Sequence, residues 1–388
     1  MENPKVFEIY PSWREPMNTA YIVAVIYLIC FIVGLCGNTS MLTMIWTSNK
    51  LTNNIQHSSV VMKRRRSSVG CRNGGDNVRI YVIALCIIDT IMLLSLPSTI
   101  ADSLVGFWMF GTLACKIHHV FSSVGRVAST FLITAMSVDR YIAIAKPHGL
   151  LGRTTKKNIL IVFTLLFIAF LLLSPLLVYA ESQKHVVQNK TMIEQNMTIV
   201  IRYYKCVDGM PENLLLWFTG STFIIGYFIP MIAILVVNTK LILKIRTHQR
   251  EISVKSVIPF KRLTIYNIAL AFIYFACWTP YWMSILYVSY ADLFGSGAIA
   301  EFVSDSKSTI MLIYCIHIFP YINTSVNWFF YGRLANNQSR NSSYINNNVC
   351  PPNNGNFEKS ELFNSFANHE LTPIADNKKK NGNGSRML

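Results

Sequence analysis

Residues 117–147 read IHHVFSSVGRVASTFLITAMSVDRYIAIAKP. From Ile117 to Val138 the only charge is Arg126, after which an acid and a base, Asp139 and Arg140, stand side by side. About 20 predominantly apolar residues in a helix cross ~30 Å of hydrocarbon. The segment is therefore long enough to span a bilayer and to set its charged pair down at an interface.

Runs of the same kind recur on both sides. Segments 21–46, 159–179, 214–237 and 310–331 carry no charge, 80–100 carries one, Asp89, and 263–287 carries none after a basic start at Lys261 and Arg262. The chain is 52% hydrophobic and 14% charged, against roughly a quarter charged in soluble domains, which makes lipid the expected solvent. The expected fold is an all-α membrane protein, a seven-transmembrane helix bundle over residues 21–331. A short segment 1–20 precedes it, a long basic loop 47–79 interrupts it, and a tail 332–388, rich in Asn, Ser, Gly and Lys, is expected to be disordered. The first run lacks a basic n-region and a small-residue cleavage site, so it is read as a retained helix rather than a signal peptide.

Orientation follows from the basic residues in the loops. Segments 47–79, 140–158 and 238–263 together hold 19 Lys and Arg and two acids, Asp76 and Glu251, whereas the opposite segments hold 11 acids and eight bases. The basic loops belong in the cytoplasm, which puts the N-terminus outside and the C-terminus inside. The net charge of +16 is concentrated beside spans, where it meets anionic membrane lipid, and this argues against nucleic acid as a partner.

Of nine cysteines, Cys115 and Cys206 alone fall on the outer side, where an oxidising compartment lets them pair; the alternative is two free thiols. The outer loop 180–213 offers glycosylation acceptors at Asn189 and Asn196, and its end, TIVIRYYKCV, predicts a hairpin. In loop 47–79, MKRRRSSVG is a basic insertion or a kinase target at Ser67 or Ser68. No nucleophile with a base and no metal-ligand spacing is present, which argues against an enzyme. A transporter or channel is the rival, and the absence of repeated halves weakens it.

Several short motifs fall in order on these spans: Gly37-Asn38, Leu85 with Asp89, Trp108-Met-Phe-Gly before Cys115, Asp139-Arg140-Tyr141, Phe228-Ile-Pro230, Cys277-Trp278-Thr-Pro280 and Asn327-Trp-Phe-Phe-Tyr331. In this set the chain resembles the rhodopsin-like (class A) G-protein-coupled receptors, over about residues 20–335. Leu96-Pro97, the predicted hairpin and YIAIAKP bring it nearest the neuropeptide receptors of somatostatin, opioid and galanin type. The resemblance implies a multi-pass protein of the plasma membrane. Its partners would be an extracellular peptide or small-molecule ligand, a heterotrimeric G protein, most commonly Gi/o, and arrestin. A light-sensing member would need a lysine in the seventh span, and there is none.

The resemblance also assigns roles. Asp139, Arg140 and Tyr141 would form the G-protein-coupling latch, with Trp278, Pro280, Asn327 and Tyr331 transmitting activation. No acid stands at the base of the sixth span to lock Arg140 across helices. Asp89 is mid-span, where a carboxylate costs ~2.5 to 3.5 kcal/mol on insertion scales. In the family its partners, here Asn38, Ser129, Asn323 and Asn327, hold an allosteric sodium ion; a hydrogen-bonded Asp packing helices is the alternative. No other cofactor is expected. Ligand contact is expected from Asp102, Ser122, Ser123, Arg126, Trp278, Tyr281, Trp282, Tyr314, His317 and Tyr321, with Glu181 and Asp208 near the mouth.

Arg126 is the unusual member, because Ser122 replaces the Asp that anchors amines in relatives. Arg126 either binds an acidic group of the ligand, which would also suit a small acidic molecule of pheromone or lipid type, or is neutralised internally by Asp89 or a carbonyl. Three departures stand out: Trp328 replaces the family's proline, Asn238 replaces a tyrosine, and the fourth span lacks its tryptophan near Leu165. They predict a straighter seventh helix and weak coupling or unusual basal activity.

Overall fold

The computed structural model describes residues 5–9, 18–58, 73–145, 155–192, 197–251, 258–290, 312 and 315–332. The helices are α1 (Asn18–Ser58), α2 (Asn73–Leu93), α3 (Leu96–Val105), α4 (Gly111–Ala145), α5 (Thr155–Tyr179), α6 (Glu212–Phe223), α7 (Ile229–Glu251), α8 (Ile258–Tyr290) and α9 (315–332). Six stretches are long and apolar enough to cross a membrane: Ala20–Ser48, Val78–Val105, Gly111–Ile142, Lys156–Tyr179, Glu212–Lys244 and Ile265–Tyr290. With α9 they make the seven-helix bundle.

Lipid as solvent is written on α5. Val162, Ala169, Leu173 and Leu176 are buried at helical spacing, while Leu160, Phe163, Phe167 and Phe170 on other faces are exposed. Such an apolar exterior would be untenable in water. The polar residues go inside instead: Asn38, Asp89, Ser129, Asn267, Asn323 and Asn327 are all at most 2% exposed, as expected where lipid offers no hydrogen bonds.

Helix limits differ from the predicted spans because hydropathy senses membrane thickness, not helix length. Residues 47–58 contain no Gly or Pro, so α1 continues to Ser58, and α2 begins at Asn73; the basic segment 47–79 is therefore helical at both ends rather than a loop throughout. Likewise α7 runs on to Glu251. The helix α4 is described to Ala145.

Two prolines reshape the second and fifth spans. Between α2 and α3 the Leu94 N–H still reaches the Thr90 carbonyl at 3.1 Å, but the Ser95 N–H turns to the Met92 carbonyl, three residues back, at 3.1 Å. Pro97 has no N–H to continue the ladder, and the Ser95 hydroxyl bonds the Met92 carbonyl at 2.7 Å. Between α6 and α7, residues Ile224–Phe228 form a π-helical turn just before Pro230. There Gly226 abuts α4: a Cβ on it would lie 3.0 Å from the Val127 side chain.

A small sheet caps one end of the bundle. Strands β2 (Glu181–Met192) and β3 (Met197–Val207) form the expected antiparallel hairpin, with Glu181 opposite Val207 and Met192 opposite Met197. The strand β1 (Lys5–Ile9) joins in parallel, Lys5 opposite Met197, giving the order β1-β3-β2. The sequence reading missed this strand. The disulfide Cys115–Cys206, Cα atoms 5.5 Å apart, fastens β3 to α4, and the Trp108 N–H donates to the Tyr204 carbonyl at 2.8 Å. The α8 C-terminus lies at this same end, since the Tyr290 hydroxyl bonds the Leu216 carbonyl at 2.7 Å.

On the other side of the bundle α1 and α9 meet at close range. The Ser325 hydroxyl donates to the Cys30 carbonyl at 2.8 Å, and Asn38 Nδ2 to the Thr324 carbonyl at 3.3 Å. A Cβ at Gly37 would lie 2.2 Å from Cδ1 and Nε1 of Trp328, so the indole occupies the space that only glycine leaves open. Helix propensity favours alanine by ~1 kcal/mol, but overpacking costs about 1–3 kcal/mol. Gly37→Ala is expected to lower the melting temperature of the purified chain, and Trp328→Ala in that background to recover part of the loss. An unchanged or higher melting temperature for Gly37→Ala would refute the packing argument.

Candidate functional site

Arg126 lies eleven residues beyond Cys115 on α4, about 16 Å of helix rise from the sheet end. Its Nη1 donates to the Tyr281 hydroxyl at 3.0 Å and its Nη2 to Ser123 Oγ at 2.5 Å. The guanidinium carbon sits 5.8 Å from the Tyr281 ring centroid and 5.7 Å from that of Trp282. Nε is buried without a partner, and among the described residues no carboxylate lies within 4.0 Å. Neutralisation by Asp89 or by a carbonyl is thus not what the structure shows.

Aromatic rings continue from this point along α8. Tyr274 stacks on Trp278 at 5.6 Å, Trp278 meets Tyr281 edge-on at 5.5 Å, and Tyr281 packs against His317 of α9 at 5.0 Å. Arg126 is near enough to act electrostatically on the imidazoles of His119 and His317. Tyr321 packs edge-on against Tyr27 at 5.3 Å and shares a hydrogen bond with Ser95 Oγ at 3.3 Å. The Tyr274 hydroxyl donates to the Arg126 carbonyl at 3.1 Å and also meets the Thr130 hydroxyl, tying α8 to α4 below the arginine.

Among the other residues singled out, Ser122 turns back to the His119 carbonyl at 3.1 Å, so Arg126 reaches Ser123, three residues earlier, rather than Ser122. Asp102 on α3 interacts electrostatically with Lys205 of β3. Tyr314, Asn196, Ser67, Ser68 and the tail from 333 lie outside the described residues; Asn189 is in β2, but its side chain is not described.

Deeper in the bundle, Asp89 Oδ2 accepts from Tyr331 at 3.1 Å and from Asn327 Nδ2 at 3.4 Å. Of the oxygens that the resemblance groups with it, Asn38 Oδ1, Ser129 Oγ, Asn323 Oδ1 and Asn327 Oδ1 are buried with no hydrogen-bond partner. A carboxylate and buried oxygens left without donors are the ligand type that suits a hard cation. Of the partners named for Asp89 from the sequence, Asn327 bonds it directly, and the direct Tyr331 bond is an addition the sequence did not indicate.

At the end opposite the sheet, Arg140 Nη2 pairs with Asp139 Oδ2 at 2.6 Å, both side chains at most 7% exposed. Tyr141 beside them is half-buried. In this conformation the arginine is held inside by its neighbour, the restrained state of the latch that the resemblance implies. One turn away, Asn267 Nδ2 of α8 donates to Ser137 Oγ of α4 at 3.1 Å and to Asn238 Oδ1 of α7 at 3.4 Å, all three residues buried. Ser137 and Asn267 were missed by the sequence reading; an asparagine in the otherwise apolar LTIYNIALAF was the available signal.

Comparison with known proteins is consistent with this arrangement. A family model described as the 7 transmembrane receptor (rhodopsin family) matches residues 69–331. The chain is 34% identical to a Caenorhabditis elegans protein named as a probable G-protein coupled receptor, over 84% of this chain and 68% of that one. It is 28% identical to the Caenorhabditis elegans neuropeptide receptor 18, over 90% and 72%. With the Homo sapiens neuropeptides B/W receptor type 1 it shares 25% identity over 84% and 87%.

Proposed function

We propose that this chain, which belongs to the rhodopsin family of seven-transmembrane receptors and to its neuropeptide branch, binds an extracellular neuropeptide at the plasma membrane and activates a heterotrimeric G protein. The sheet end faces outward and the Asp139 end the cytoplasm, as the basic loops require. Peptide at the sheet end touches the aromatic residues of α8. Pro280 inside that helix removes one backbone bond and supplies the hinge. A ligand preferring the bent form shifts the population toward it, parting α8 from α4 and α7 and releasing Arg140 for the G protein. Gi/o is the partner the resemblance favours, with arrestin following.

The observation that carries the reading is the buried Arg140–Asp139 pair beside the Asn267 bridge, a closed face that has something to release. The test is a peptide library applied to cells expressing the full chain with a promiscuous G protein. At least one peptide should evoke a response, and Arg140→Ala should abolish it at unchanged surface density. A peptide response that survives Arg140→Ala would refute the mechanism.

A sodium ion would be held by Asp89 with Ser129, Asn323 and Asn327, and it would favour the resting form. Raising sodium at constant ionic strength should weaken agonist binding about fivefold in the native chain and not in Asp89→Asn. Equal sodium sensitivity of the two would exclude this site. One observation favours a second reading, a receptor for a small acidic molecule: Arg126 has no counter-ion among the described residues.

A further inference from the structure

We propose that Arg126 forms a deep anion subsite that takes a carboxylate of the ligand, a deduction that rests on the receptor reading above and specifies the ligand chemistry. A guanidinium has five N–H donors and cannot shed its charge. Here two hydrogen bonds go to hydroxyl oxygens of Tyr281 and Ser123, Nε is buried with no acceptor, and no acid among the described residues neutralises the group. An intramembrane cation left in that state is costly. The protein softens the cost with two ring faces, Tyr281 and Trp282, each within 6 Å of the guanidinium carbon.

None of these partners carries negative charge. Hydroxyls and ring faces hold the guanidinium in place while leaving its charge for an incoming group. Arg126 also keeps accessible surface about 16 Å of helix rise inside the sheet end, where Trp278 and Trp282 are 1% exposed. A carboxylate, with two oxygens matched to the guanidinium fork, completes the site better than a neutral carbonyl. The rings of Tyr281, Trp282 and His317 would flank an apolar or aromatic group next to that carboxylate. The carboxylate has two possible sources, a free C-terminus or an Asp or Glu side chain.

The subsite is tested on the purified full chain in lipid nanodiscs with 3-phenylpropionate and its uncharged amide as probes, followed by thermal melting. The acid should raise the melting temperature saturably, with an apparent affinity at least about tenfold above that of the amide. Arg126→Gln should remove the difference, and Arg126→Lys should retain part of it. Unliganded melting of each variant shows that the bundle has folded. Equal shifts by acid and amide, no shift by either, or an acid shift that survives in Arg126→Gln would each overturn the proposal.

Matched libraries of C-terminal acid and amide peptides then identify the source. Preference for free acids assigns the C-terminus; indifference to amidation with loss on Asp→Asn or Glu→Gln in the peptide assigns a side chain. Activation by peptides without dependence on Arg126 would sink the subsite and leave the receptor reading standing. An acid-selective shift without any peptide response would sustain the subsite and point instead to a small acidic ligand.

Discussion

Cys206→Ser is expected to cut the folded protein at the cell surface by at least about fivefold. The bond closes a separation of 91 residues, for which chain entropy gives a stabilisation of about 4.6 kcal/mol. Because the spans stay threaded through the bilayer when the outer end loosens, that figure is an upper bound. Half of it suffices, since a change of about 2 kcal/mol alters cellular abundance several-fold. The bond also joins the only three strands among the described residues to α4 beside a buried Trp108, so its loss frees the whole cap. Surface labelling of intact cells, with the melting temperature of the solubilised chain, measures the effect. A surface level equal to that of the native chain would show that the cap holds by its hydrogen bonds alone.

The second large effect falls at the opposite end. Asn267→Ala removes the donor that bridges Ser137 and Asn238, and the alanine cannot replace either bond. Each buried bond contributes roughly 1 kcal/mol net. If the bridge exists only while α8 lies against α4 and α7, its loss lowers the cost of opening by about 1.4 kcal/mol, a factor of ten in the open population. Signalling without agonist should therefore rise about tenfold, and Asn238→Ala, which cuts only the longer bond, should raise it less. Basal activity at the native level, with normal surface density, would show that the bridge does not restrain activation. The three departures at 328, at 238 and near Leu165 together predict weak coupling or unusual basal activity; the structure places one of them, Asn238, in an uncharged clamp where no acid is available for an ionic one.

Much of this architecture was legible because a bilayer is a simple constraint. Apolar runs of sufficient length fix spans, and isolated polar residues within them, such as Asp89 and Arg126, must face inward. The hairpin was legible from alternation in TIVIRYYKCV. By contrast β1 is five residues, KVFEI, too short for a period to register, and its partner strand lies about 190 residues away. The π-helical turn before Pro230 could be anticipated as a disturbance but not in kind, because its form depends on how closely Gly226 can approach Val127. Ser137, Asn238 and Asn267 sit on three different helices, and nothing local to any of them names the other two. For Arg126 the residue type announced the problem of a buried charge, while only the packing of α8 revealed that hydroxyls and rings, not Asp89, surround it.

The indole at 328 and the bare backbone at 37 have a consequence for heredity as well as for packing. The constraint runs one way: a side chain added at 37 collides while the indole is in place, whereas 328 can shrink first and leave only a void. A lineage in which position 37 diversifies must therefore lose the indole first, so mutational order in this receptor's descendants is directional.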